Sequence, residues 1–168
     1  PHEGQWGRFL ENINPKIVVI DRYEAWPDLW CELSQKNIFL NEKSVILVPS
    51  AAWQMKRWPL DYWKKLVRIM PDYHFVVLGG STDHFCEEIR SIDPGRVMNL
   101  AGKLSLEESC LVVNDSQLVI SADTGLLHVA DVLGKKAISL MGPTAFGFTT
   151  GPHISTLEVE LSCRPCSK

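Results

Sequence analysis

Gln117-Leu118-Val119-Ile120-Ser121-Ala122-Asp123-Thr124-Gly125-Leu126-Leu127-His128-Val129-Ala130-Asp131-Val132-Leu133-Gly134-Lys135-Lys136-Ala137-Ile138-Ser139-Leu140-Met141 decides the fold. The apolar run at 117–121 reads as a strand, 125–133 as a helix stopped by Gly134, and 136–141 as a second strand. Neither strand alternates apolar with polar residues, which suits a parallel sheet buried on both faces. A strand, a crossover helix and a strand form the repeating unit of such a sheet.

Outward from this unit the same alternation continues. Residues 44–49, 73–78 and 96–99 are expected strands, carrying Val45, Ile46, Leu47 and Val48 in the first. Pro59 opens a helix in a first turn that does not need its N–H, with Tyr62, Trp63, Leu66, Val67 and Met70 on one face. Gly79-Gly80 ends the next strand, and a helix is expected over 83–92. Ser105 reads as an N-cap with Glu108 as its capping-box partner, for a helix reaching about Val113. A loop rich in Gly, Pro, Thr and Phe at 142–152 leads to a last strand over 156–161. Residues 1–43 read as a joining segment of helix, strand and helix. Residues 44–168 then form the main domain, an α/β fold with a Rossmann-like, doubly wound parallel sheet. Both ends of the chain are expected to lie inside a longer natural protein.

Composition narrows the classes. The chain has 168 residues, 45% of them apolar and 22% charged, which excludes disorder and allows one sizeable core. A net charge of −3 provides no global basic field for nucleic acid or an anionic membrane, so any anion site must be local. No apolar run is long enough to span a bilayer, and the first residues carry no signal-peptide pattern. Of the five cysteines, Cys31, Cys86 and Cys110 sit in apolar or helical patterns and read as small buried thiols. Cys163 and Cys166 have a redox or zinc spacing but no second pair, so they read as unpaired thiols in a reducing cytoplasm. His84 beside Asp83 lacks a second ligand pair, and no metal is expected. The glycine patterns of dinucleotide and P-loop sites do not occur.

Ligands of open α/β sheets bind beyond the carboxyl ends of the strands. Ser121-Ala122-Asp123-Thr124-Gly125 is the sharpest such rim, because a strand ends there and a helix starts with unpaired N–H groups suited to phosphate. Gly125 allows close approach to the backbone and Thr124 offers a hydroxyl; alternatively, Asp123 or Thr124 simply caps the helix. Lys56 and Arg57 stand at the same rim, where Lys56 can meet a diphosphate leaving group, or both can be solvated. Trp58 reads as a packing anchor, and His128 either reaches a phosphate or packs its helix.

Four motifs in order carry a resemblance. They are Lys56-Arg57-Trp58-Pro59, Asn99-Leu100-Ala101-Gly102-Lys103-Leu104-Ser105-Leu106, Asp123-Thr124-Gly125-Leu126-Leu127-His128-Val129-Ala130 and Leu140-Met141-Gly142-Pro143-Thr144. Across 44–168 the chain resembles the C-terminal domain of the ADP-heptose:lipopolysaccharide heptosyltransferases, glycosyltransferase family 9. The resemblance implies the C-terminal half of a GT-B architecture, with the acceptor in the other half and the nucleotide-sugar donor in this one. It implies that Lys56 contacts the donor diphosphate and that Asp123, Thr124 and Gly125 border diphosphate and sugar. Asp83 would accept from ribose hydroxyls, and 101–104, including Leu104, would lie along the adenine. Ser50-Ala51-Ala52 departs from relatives that have hydroxyl residues there, and only Ser50 keeps a donor.

The implied reaction is an inverting, metal-independent and cofactor-free transfer of heptose from ADP-heptose or a related nucleotide sugar to a lipopolysaccharide-core acceptor. The catalytic base is expected in the N-terminal domain, leaving none among these residues. Expected partners are the donor and, through the other domain, the acceptor; peripheral contact at the inner face of the inner membrane belongs to the full-length protein. A sugar-nucleotide epimerase half and a non-catalytic nucleotide-binding domain stand as alternatives.

Overall fold

The computed structural model describes residues 44–144, 151–159 and Ser162. The joining segment 1–43 and Cys31, Cys163 and Cys166 lie outside the described residues. The described strands are β1 (Ser44–Val48), β2 (His74–Val77), β3 (Val97–Asn99), β4 (Leu118–Ala122), β5 (Ala137–Leu140) and β6 (Ile154–Leu157). The helices are α1 (Leu60–Ile69), α2 (Cys86–Arg90), α3 (Leu106–Asp115) and α4 (Gly125–Val132), with a short 3-10 turn at Gln54–Lys56.

The six strands form one sheet in the order β3-β2-β1-β4-β5-β6. Every neighbouring pair is parallel, with Val45 beside both Phe75 and Leu118 in the centre. From β1 the chain winds towards β2 and β3, and from β4 it winds the other way, so the sheet is doubly wound about the β1–β4 junction.

Successive residues of β1 serve opposite cores. Val45 and Leu47 pack with Trp63 and Val67 of α1 and with Cys86 and Ile89 of α2. Ile46 and Val48 pack with Cys110, Val112 and Val113 of α3 and with Leu127, Val129 and Ala130 of α4. Both faces of the strand are therefore covered, which explains its unbroken apolar run. The Cys86 and Cys110 side chains are buried thiols within these cores.

The helix ends follow local chemistry. Ser105 accepts from Glu108 N at 3.2 Å while Glu108 Oε2 accepts from Ser105 N at 2.6 Å, completing the expected capping box of α3. Helix α4 stops at Gly134, whose φ is 64°. Gly134 N donates to Asp131 O and Lys135 N donates to Ala130 O, a Schellman arrangement at the end of α4. At the end of α1, the Arg96 guanidinium donates to Met70 O at 3.1 Å, Tyr73 O at 3.0 Å and Val67 O at 3.4 Å, closing carbonyls that a helix end leaves open.

Two elements differ from expectation. Helix α2 is confined to Cys86–Arg90 instead of 83–92. Asp83 turns its carboxylate back onto Gly80 N at 2.7 Å, and the next bonds, Cys86 N to Asp83 O and Glu87 N to His84 O, close tight three-residue turns. Strand β6 is placed two residues early, at Ile154–Leu157, because Ala137 N pairs with His153 O and sets the register there.

Candidate functional site

The carboxyl ends of β1 and β4 flank the junction where the winding reverses, and the loops that follow them meet there. Beyond β1 the 3-10 turn carries Lys56 to the rim, and beyond β4 the chain turns through Asp123 and Thr124 into α4. Lys56 Nζ lies 2.7 Å from Asp123 Oδ2. Thr144, from the segment after β5, donates its hydroxyl to the same carboxylate oxygen at 2.9 Å. Burial raises the Asp123 carboxyl, but hydrogen bonds from Lys56 and Thr144, with the charges of Lys56 and His128, outweigh it and hold the group below its ordinary value. Asp123 is thus a carboxylate committed to its ion pair, with reduced basicity.

The start of α4 is open. Thr124 occupies the N-cap position with extended backbone and makes no side-chain cap bond. Its hydroxyl instead lies 3.3 Å from that of the buried Ser121, which itself donates to Ala122 O. Asp123 is directed to Lys56 and Thr144. With neither side chain capping the helix, the Gly125 and Leu126 amides keep their capacity for an external anion, while Leu127 N donates to Thr124 O at 3.1 Å. A Cβ added at Gly125 would meet nothing within 4 Å among the described residues, so the helix start is open at this position. His128 is half-buried one turn further along α4.

A second cluster joins the loops after β1 and β2. Ser50 Oγ donates to Asp83 Oδ2 at 2.5 Å, and Gly80 N donates to the same oxygen at 2.7 Å. Arg57 Nη2 lies 3.6 Å from Asp83 Oδ1, and Arg57 Nε donates to Ala51 O at 2.8 Å. The guanidinium also sits 5.0 Å from the Phe85 ring centroid. Asp83 is buried, with 7% of its surface exposed, so its carboxylate acts as the knot that ties these loops.

The segment 101–104 is pinned against the same loop. Gly102 has φ 71°, and a Cβ there would lie 2.6 Å from Ser81 Cα, so both backbone and packing require glycine. Gly102 N donates to Gly79 O at 2.9 Å, and Lys103 Nζ donates to Asn99 O at 2.7 Å. Leu104 is half-buried against the α3–α4 core.

The structure therefore gathers Lys56, Asp123 and Thr124 beside Gly125 in one cluster, and Ser50 with Asp83 in another. Sequence reasoning did not assign Arg57 to the Asp83 knot or Thr144 to Asp123. Trp58 packs edge-on against Trp63 at 5.1 Å, as a packing anchor should. Among the described residues no group of three or more His, Cys, Asp or Glu side chains is arranged to hold a metal ion. No described helix is long and apolar enough to cross a membrane.

Strand order, helices on both faces and an open helix start at the winding junction define a Rossmann-like α/β domain. The family model for Glycosyltransferase family 9 (heptosyltransferase) matches residues 22–168, and the chain belongs to that family. Lipopolysaccharide heptosyltransferase 2 of Salmonella typhimurium is 27% identical over 139 residues, covering 74% of this chain and 40% of that protein. The chain thus spans less than half the length of this curated relative. In fold it is similar to E. coli ADP-heptose lps heptosyltransferase II, with a TM-score of 0.74 at 20% identity over 89% of this chain and 49% of the other. It is also similar to E. coli heptosyltransferase WaaC with ADP, with a TM-score of 0.60 at 25% identity over 68% of this chain and 37% of the other.

Proposed function

We propose that this chain is the donor-binding half of an inverting glycosyltransferase that transfers heptose from ADP-heptose to a lipopolysaccharide-core acceptor. The observation that carries the reading is the open start of α4, with Gly125 clear above it and Lys56 held beside it by Asp123. A diphosphate resting on the α4 amides would meet the positive end of the helix and the Lys56 ammonium together. Lys56 has three N–H donors, and Asp123 takes one, leaving others for phosphate oxygens.

As the acceptor oxygen bonds to the anomeric carbon, the bond to ADP breaks and negative charge grows on the departing diphosphate. Lys56 and the amides stabilise that charge. Asp123 is committed to Lys56 and Thr144, and Asp83 to Ser50 and Gly80, so the proton of the acceptor hydroxyl goes to a base on the other half of the protein. Two solved relatives, whose titles read E. coli heptosyltransferase WaaC with ADP and with ADP-2-deoxy-2-fluoro heptose, support this choice of donor. The full-length enzyme would work at the cytoplasmic face of the inner membrane, where a lipid-borne acceptor is presented.

The test is Lys56→Ala in the full-length protein, titrated with ADP and with adenosine. A charge-assisted contact to phosphate contributes about 1.5–3 kcal/mol, so ADP should weaken roughly 10- to 150-fold while adenosine holds. Equal weakening of both ligands would assign Lys56 to the fold.

A further inference from the structure

We infer that Trp53 is a positioning residue for Lys56: its indole face holds the ammonium at the rim, in the direction from which a diphosphate arrives. The inference rests on the reading of Lys56 as a diphosphate contact. Trp53 is 60% exposed, an unusual place for the largest apolar side chain unless its face has an occupant. That occupant is Lys56 Nζ, 5.2 Å from the ring centroid.

The local backbone explains the pairing. Trp53 caps the 3-10 turn at Gln54–Lys56, and Lys56 N donates to Trp53 O at 3.0 Å. Side chains three residues apart in a 3-10 turn eclipse, so this turn brings the Lys56 ammonium over the indole. The segment after β5 presses on the same turn: a Cβ at Gly142 would lie 3.1 Å from Met55 O.

A lysine stem has four rotatable bonds, and a single ion pair leaves much of that freedom. Here Asp123 fixes one side of the ammonium at 2.7 Å and the indole quadrupole attracts it from another. The ammonium has three donors and Asp123 takes one, so others remain for phosphate oxygens. When a diphosphate binds, the ammonium lies between two anions, and the ring keeps it from being drawn wholly to either. Trp53 thereby tunes donor affinity through Lys56 without touching the donor.

The experiment uses the full-length protein with Trp53→Phe, Trp53→Leu, Lys56→Ala and the Trp53→Leu/Lys56→Ala double variant, each titrated with ADP and adenosine. Trp53→Leu should weaken ADP about three- to tenfold and leave adenosine and the melting temperature unchanged, with Trp53→Phe in between. In the Lys56→Ala background the same change should add less than about twofold, because its partner is gone. An undiminished ADP loss in that background, equal losses of ADP and adenosine, or no ADP loss at all would each overturn the inference. A Lys56→Ala variant that treats ADP and adenosine alike would instead remove the diphosphate reading on which the inference stands.

Discussion

Gly125→Ala separates a glycine kept for a ligand from one kept for the fold. Gly125 is not among the glycines with positive φ, and its added Cβ would meet nothing within 4 Å among the described residues. Neither its backbone nor its neighbours among the described residues therefore oppose alanine. In such a position the exchange stabilises by about 0.4–1 kcal/mol, mainly by narrowing the unfolded ensemble. For a domain of this size unfolding as a unit, that raises its melting temperature by about 1–4 °C. A diphosphate on the α4 amides would meet the new methyl group, and losing one charge-assisted contact weakens ADP roughly tenfold or more. Gly102→Ala is the control, since its φ of 71° and the 2.6 Å approach to Ser81 Cα make alanine destabilising. The assay is thermal unfolding of the full-length variants without ligand, with ADP titration by calorimetry. Wild-type ADP affinity in Gly125→Ala, or a melting temperature below wild type, would refute the reasoning.

Two further outcomes follow from the rim. The Asp123 carboxyl is held below its ordinary value of 3.8, so the stability it adds is full above that value and is lost as pH falls through the lower folded-state value. Urea unfolding of wild type and Asp123→Asn, followed from neutral pH down to about pH 3, should show curves that approach one another at the acid end; a constant gap would remove the linkage. Asp83→Ala strands the Ser50 hydroxyl and Gly80 N–H and removes the carboxylate beside Arg57 Nη2, and should destabilise by about 2–4 kcal/mol in guanidinium titrations, whereas a loss under about 1 kcal/mol would mean the knot is not structural.

The strand–helix alternation was legible because each core strand is buried on both faces and so carries an unbroken apolar run, as Val45, Ile46, Leu47 and Val48 show. The α3 start was legible for a different reason: Ser105 and Glu108 satisfy each other's backbone within one turn. The expected helix over 83–92 ran too long because residues 83–85 contain no Gly or Pro to break it, while the Asp83 carboxylate claims Gly80 N and holds them in tight turns. The partners of the rim residues were not legible at all. Lys56 meets Asp123 across 67 positions and Ser50 meets Asp83 across 33, and only the order of strands brings them together. Loop position identified these residues as a rim; it could not tell that Asp83 faces inward to Ser50 while Lys56 faces Asp123.

The central claim is that this half of the protein receives an adenine nucleotide sugar through its diphosphate. Thermal unfolding of the full-length protein with ADP, UDP and GDP at matched concentrations tests it most directly. ADP at about 100 times its dissociation constant should add roughly 2.7 kcal/mol and raise the melting temperature well above the shifts given by UDP and GDP. Equal shifts with all three nucleotides would contradict adenine recognition, and no shift with any of them would contradict donor binding by this domain.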